Sequence, residues 1–177
     1  MMTLEEARAF FRGDRFAVEQ AGITIEEIGE HSARCSMPVT PLHKNAAGAV
    51  MGGAIFTLAD FAFAVAANVG GVLTVTTTAS VSFVGTCKGE VLYAETRLVK
   101  DGRRSCFFEV TVTDELGNLV AVVTSNGTHL DKKLSSNCRC KRKNSHSGDC
   151  YFCISSVIKS ANRFAISQSK SNTTPSR

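Results

Sequence analysis

The sequence predicts an α+β fold in which one long central helix packs against an antiparallel β-sheet, followed by a tail with little structure. Three observations lead there. From Gly52 to Gly71 the chain carries a single charge, Asp60, within an apolar and small-residue run. From Val72 the pattern becomes long stretches rich in β-branched residues, separated by short turns. Beyond residue 133 the composition shifts to Ser-rich, basic sequence without periodicity. The predicted organisation is therefore a domain over residues 1–133 and a tail over 134–177.

The elements follow in order. Thr3 to Arg15 reads as a helix, with Thr3 as its cap, Glu6 at the capping-box position, and Leu4, Ala7, Phe10 and Phe11 on one stripe. Gly13 and Asp14 end it. Ile23 to Ile25 opens a strand, and Gly29 marks a turn or bulge. His31 to Val39 alternates, with Ala33, Cys35 and Met37 on one face. Pro38 and Pro41 then break the ladder, and Leu42 to Gly48 is loop. The long helix runs from Gly52 or Gly53 to about Asn68; being apolar nearly all round marks it as central, and Gly70-Gly71 stops it. Strands follow over Thr74–Val84, Glu90–Lys100, Arg104–Asp114 and Leu119–Leu130. Asp101-Gly102 and Gly117-Asn118 supply two of the turns. In the first of these strands Ala79, Val81 and Phe83 face away from Ser80 and Ser82.

Composition excludes several function classes. The net charge of +4 divides unevenly. Residues 1–131 hold 10 basic and 15 acidic residues, a balance of −5, and residues 132–177 carry +9. An acidic domain lacks the electrostatic footprint of a nucleic-acid binder. A membrane span over Gly52–Gly71 is disfavoured by Asp60, Asn68 and the glycines. The first sixteen residues are charged throughout and have no apolar core, so a cytoplasmic location is expected. The seven cysteines are too scattered for a disulfide scaffold.

Asp60 is the residue most in need of a reason. A helix Asp can simply pair with a surface Arg. A partly desolvated carboxylate, by contrast, has its pKa raised toward values useful for acid–base or nucleophilic work. Gly48, Gly52 and Gly53 lie just upstream. Backbone N–H groups at a helix N-terminus have no intrahelical partner and suit an oxygen that gains negative charge. Asp60 sits about two turns further along, too far to touch the same atom within one chain. Either it acts through a water, or a second subunit supplies it.

Asn45, Gly48, Met51, Gly52, Gly53 and Asp60 together resemble the motif of the hotdog-fold acyl-CoA thioesterases of the phenylacetate-degradation (PaaI-like) group. The similarity extends over Leu4 to Leu130. It implies a hotdog fold and hydrolysis of an aryl- or medium-chain acyl-CoA to the free acid and CoA. No cofactor is implied, since a thioester is already activated. A homodimer or homotetramer is implied by the half-built site. By the same resemblance Asp60 is the general base or nucleophile, and Gly52 N–H polarises the carbonyl. Asn45, from the opposite subunit, positions water or the leaving thiol. Thr76 is a water-orienting hydroxyl, with Thr77 the alternative if the register slips by one.

One departure is plain. The family usually has His before Gly-Gly, and this chain has Met51. Met51 and Gly53 would line the acyl or pantetheine channel. Loss of the imidazole also leaves room for a non-catalytic acyl-CoA-binding module, and argues against a hotdog dehydratase. His43, two residues before Asn45, could approach the site, though a loop-surface position is the simpler expectation. His31 and His129 read as structural. Lys100, Arg103 and Arg104 flank a turn. They are either a solvated hairpin tip or a grip on the CoA phosphates. No His/Cys/Asp group in the domain has metal-ligand spacing along the chain, so no metal is expected there. The tail carries Cys138, Cys140, His146, Cys150 and Cys153, a poor match to a zinc site.

Overall fold

A computed structural model of the chain describes residues 1–134. The expected tail and its cysteines lie outside the described residues. The order of elements is α1 (Leu4–Phe11), a π-helical turn (Phe16–Gln20), β1 (Thr24–Gly29), β2 (Ser32–Pro38), a 3-10 turn (Pro41–His43), α2 (Gly52–Asn68), β3 (Val72–Phe83), β4 (Val91–Asp101), β5 (Ser105–Asp114) and β6 (Leu119–Lys133). One antiparallel sheet runs in the order β1-β2-β4-β5-β6-β3. This is the α+β architecture expected, with α2 lying on the sheet.

Local chemistry accounts for most boundaries. At α1, the Glu6 N–H donates to Thr3 Oγ1 and Glu6 returns a carboxylate to the Thr3 N–H, a complete capping box. The helix ends at Phe11, earlier than Arg15, because Asp14 N–H folds back on Phe11 O. The following π-turn was not foreseen; its five residues are too few for a periodic signal. α2 ends where Gly71 takes φ +85°, which only glycine adopts without strain. The β5–β6 hairpin is organised by Asp114, whose buried carboxylate accepts N–H groups from Lys88, Leu116 and Asn118. Burial pushes this carboxyl up, but the donors outweigh it and hold it at about 2.

Between α2 and the sheet sits the core. Cys35 lies opposite Ala94, Ala94 opposite Val112, and Val112 opposite Ala121, a buried row crossing four strands. On the helix side Leu58, Ala59, Ala62, Phe63, Val65 and Ala66 are buried. Phe63 meets Phe108 edge to face, ring centroids 5.4 Å apart. Phe11 of α1 meets Phe61 at 5.6 Å and so fastens the N-terminal helix beside α2. The remaining stripe of α2, through Gly53, Phe56, Thr57, Asp60 and Ala64, is only partly covered or open. β3 is an edge strand, and most of its residues after Val75 are exposed.

Gly127 of β6 lies under this packing. A Cβ there would stand 2.7 Å from Thr74 Cγ2, 2.9 Å from Phe63 Cζ and 3.0 Å from Cys106 Sγ. Gly127→Ala is therefore expected to destabilise the domain by about 1–3 kcal/mol through overpacking. Urea melts of the two proteins measure this, with a lower midpoint for the variant.

Candidate active site

The open stripe of α2 holds Asp60. Thr76 Oγ1 on β3 donates to Asp60 Oδ1 at 3.2 Å. Burial raises the Asp60 carboxyl above the usual range, and the Thr76 hydrogen bond draws it partly back. Thr76 reaches the helix because β3 bulges at this point: pairing with β6 steps from Thr76↔Gly127 to Thr78↔Asn126, leaving Thr77 as the extra residue. Thr77 turns to β6 instead, its hydroxyl donating to Asn126 O at 3.1 Å. Of the two hydroxyls considered from the sequence, then, Thr76 is the one that touches Asp60.

The N-terminus of α2 forms the second part. Met51 is its N-cap residue in extended backbone, and its carbonyl accepts from the Ala54 and Ile55 N–H groups. The N–H groups of Gly52 and Gly53 lie in the first turn, where a helix supplies no acceptor. Phe83 rests on Gly52, and a Cβ there would come within 2.9 Å of the ring. This contact was read from sequence only as one face of a strand. Met51 is exposed, and so are Leu42 in the preceding loop and Phe83 beside Gly52.

Asn45 lies in the loop leading to the helix. Its Oδ1 accepts the Ala47 N–H at 2.9 Å and the Ala49 N–H at 3.2 Å, which leaves its amide nitrogen to face outward as a donor. Gly48 closes that loop at φ +80°. His43 corrects the surface expectation: the residue is buried. Its Nδ1 accepts the Thr40 N–H at 3.0 Å, and its carbonyl accepts the Met51 N–H. The neutral ring then carries its proton on Nε2, which has no partner among the described residues.

Other expected residues are not brought together. Gly52 and Asp60 lie about 12 Å apart along the helix axis. Arg103 and Arg104 are exposed on the β4–β5 turn. Arg103 lines a cavity of about 590 Å³ with Ala67, Val69 and Gly70 at the far end of α2, away from Gly52. A different carboxylate does feel the site. Asp14, which sequence reading treated only as a helix stop, is exposed as a residue, yet its carboxyl is raised by partial burial and then by the charge of Asp60.

Residues 47–121, from the loop through α2 to the start of β6, match the family model described as the thioesterase superfamily. The phenylacetic acid degradation protein PaaI of Thermus thermophilus superposes with a TM-score of 0.61 at 27% identity, covering 64% of this chain and 98% of that one. The domain has the hotdog fold of the PaaI proteins, and residues 47–121 are similar to the thioesterase superfamily. The E. coli PaaI protein shares the fold at a TM-score of 0.68 and 22% identity, over 76% of this chain and all of that one. So does a hypothetical thioesterase of Streptococcus pneumoniae solved with coenzyme A, at 0.65 and 23%, over 71% of this chain and 98% of that one. A curated protein of Archaeoglobus fulgidus named "Putative esterase" is 35% identical over 99 residues; the match spans 55% of this chain and 64% of that protein's length. Among the described residues no helix is long and apolar enough to cross a membrane.

The electrostatics of this hotdog site give a measurable expectation. Because the Asp60 carboxyl is raised in the folded state, the domain loses stability as pH climbs from the ordinary Asp range through the folded value. Asp60→Asn should thus be more stable than the parent at neutral pH, with the gap closing in acid. In NMR titrations Thr76→Val should raise the Asp60 midpoint further, and Asp60→Asn should lower that of Asp14. Unmoved midpoints would contradict the assigned causes.

Proposed function

We propose that the protein hydrolyses acyl-CoA thioesters with an aryl or medium-length acyl group, using Asp60 as general base or nucleophile. One observation carries this reading: a half-buried carboxylate, held by Thr76 and raised in pKa, sits on the one open stripe of an otherwise enclosed helix. Desolvation makes it a stronger base than a surface Asp while a single hydroxyl fixes its direction. The similarity of residues 47–121 to the thioesterase superfamily and a fold neighbour solved with coenzyme A support the choice of substrate class.

In the general-base form, water attacks the thioester carbonyl and gives its proton to Asp60. The oxyanion is held by the Gly52 N–H, with Gly53 allowing close approach. Collapse breaks the C–S bond, and Asp60 returns the proton to the departing thiolate. In the nucleophilic form Asp60 attacks the carbonyl itself, and water then hydrolyses the mixed anhydride. No cofactor takes part in either sequence.

Since Gly52 and Asp60 of one chain are too far apart to share a carbonyl, the working site forms between two copies. Asp60 and Thr76 come from one, and Gly52, Asn45 and the channel-lining Met51 from the other. The exposed β3 edge and the uncovered Leu42, Met51 and Phe83 side chains suit burial against a second copy. Arg103 and Arg104 would meet CoA phosphates only if supplied by another subunit, and His43 shapes the Asn45 loop from within. The second reading, an acyl-CoA-binding module without turnover, is favoured by Met51 where the family usually has His.

Two measurements test the proposal. Thiol release from a panel of acyl-CoAs should fall about 10²–10⁴-fold in Asp60→Asn; full activity in that variant would refute the mechanism, and binding without turnover in the parent would select the second reading. Co-expressed Asp60→Asn and Asn45→Ala chains, each impaired alone, should regain about a quarter of parental activity, because half of the random mixed dimers' sites are then intact. No recovery would place the whole site within one chain.

A further inference from the structure

A second cluster lies at the other end of α2, outside the proposed active site. Asp101 at the end of β4 stands between two imidazoles. Its Oδ1 is 2.9 Å from His129 Nε2, and its Oδ2 is 3.9 Å from His31 Nε2. Beneath them is the buried Cys106, and the ligating atoms of Asp101, Cys106 and His129 all lie within 4.8 Å of one another. We propose that His31, Asp101 and His129, with Cys106 below, bind a divalent transition-metal ion of the zinc type.

The hydrogen bonding around His129 is the main argument. Thr74 is buried, and its hydroxyl donates to Val72 O at 3.2 Å. With its proton on Val72 O, Thr74 Oγ1 can accept from His129 Nδ1, 2.8 Å away. In that arrangement the ring carries its hydrogen on Nδ1, the tautomer that presents a bare Nε2 to a metal, with Thr74 as the outer partner that orients it. A bare Nε2 and a carboxylate oxygen at 2.9 Å are two acceptors face to face. Something positive belongs between them, either a proton or a metal ion.

The surroundings favour the ion. Nitrogen, oxygen and thiolate sulfur bound at about 2.0–2.3 Å around a tetrahedral ion stand roughly 3.3–3.8 Å from one another, so the three closest ligands need only small rotations to close on it. His31 sits in the two-residue β1–β2 turn at φ +56°, a left-handed conformation uncommon for any residue with a side chain. The cavity of about 590 Å³ provides the path in, bordered by Glu30, His31, Asp101, Arg103 and His129. Glu30 and Arg103 there oppose each other's effect on a cation. Gly127 makes the base possible, since any side chain at that position would strike Cys106 Sγ and Thr74. Spacing along the chain could not reveal the group, because its members come from four different elements.

The test uses the full chain with Cys138, Cys140, Cys150 and Cys153 replaced by Ser, which removes thiols that would compete. After chelator treatment the protein is titrated with Co²⁺ by absorption and with Zn²⁺ by calorimetry. One equivalent should bind, with visible tetrahedral d–d bands and a near-ultraviolet thiolate-to-cobalt band. Cys106→Ser should remove the thiolate band alone. His31→Asn, which tolerates the left-handed turn, and His129→Gln should each weaken Zn²⁺ by about tenfold or more. Absence of saturable binding would overturn the proposal and leave a His129–Asp101 hydrogen bond. Equal affinity in the folded His31→Asn variant would overturn it too, and that outcome can be read even if His129→Gln does not fold.

Discussion

Enclosure of α2 is the constraint on which the rest of the domain depends. Its sequence is apolar on nearly every side, so it is stable only when other elements surround it. The sheet takes one side, and α1 with the π-turn takes another through the Phe11–Phe61 contact. What remains is a narrow stripe, and along it stands the helix's one carboxylate. The position of Asp60 is thus a consequence of covering everything else. Its raised pKa follows from the same crowding.

The two ends of α2 are built differently. At the N-terminus glycines leave the backbone donors accessible, and the neighbouring side chains are apolar and exposed. At the C-terminus the helix runs into Asn68, whose amide donates to Ala64 O and Thr74 O while its oxygen accepts the Thr74 N–H. That clamp is buried and satisfied. It fixes the start of β3, and with it Thr74, against the helix. One end is open and the other rigid, with the His31–Asp101–His129 group resting on the rigid end.

Much of this was legible in the residues. The Thr3–Glu6 box, the limits of α2 and the strands after Val72 all announce themselves through local rules of capping, periodicity and turn chemistry. Asp60 stands out because a lone charge in an apolar helix is costly without a reason. What escaped notice depends on contacts between distant segments. The bulge that separates Thr76 from Thr77 is a property of the β3–β6 pairing and leaves no mark in either strand alone. His43 looks like a loop residue, yet the turn that follows Thr40 folds it inward. Asp14 matters through a neighbour more than forty positions away. The four-residue cluster near Asp101 is visible only once the sheet order places the ends of β4, β5 and β6 side by side.

The extra residue in β3 breaks the two-fold alternation of the strand. A regular pleated strand alternates its two sides, and the extra Thr77 puts the halves on either side of it out of phase. Shortening β3 by that single position would bring both halves into step. Everything upstream of the deletion would then present its opposite side to α2, and Thr76 would exchange its view of the helix for one of solvent. The strand tolerates an irregular ladder so that one surface can be hydroxyl-bearing near the helix midpoint and aromatic over the helix start, a combination that a regular strand of the same composition cannot offer.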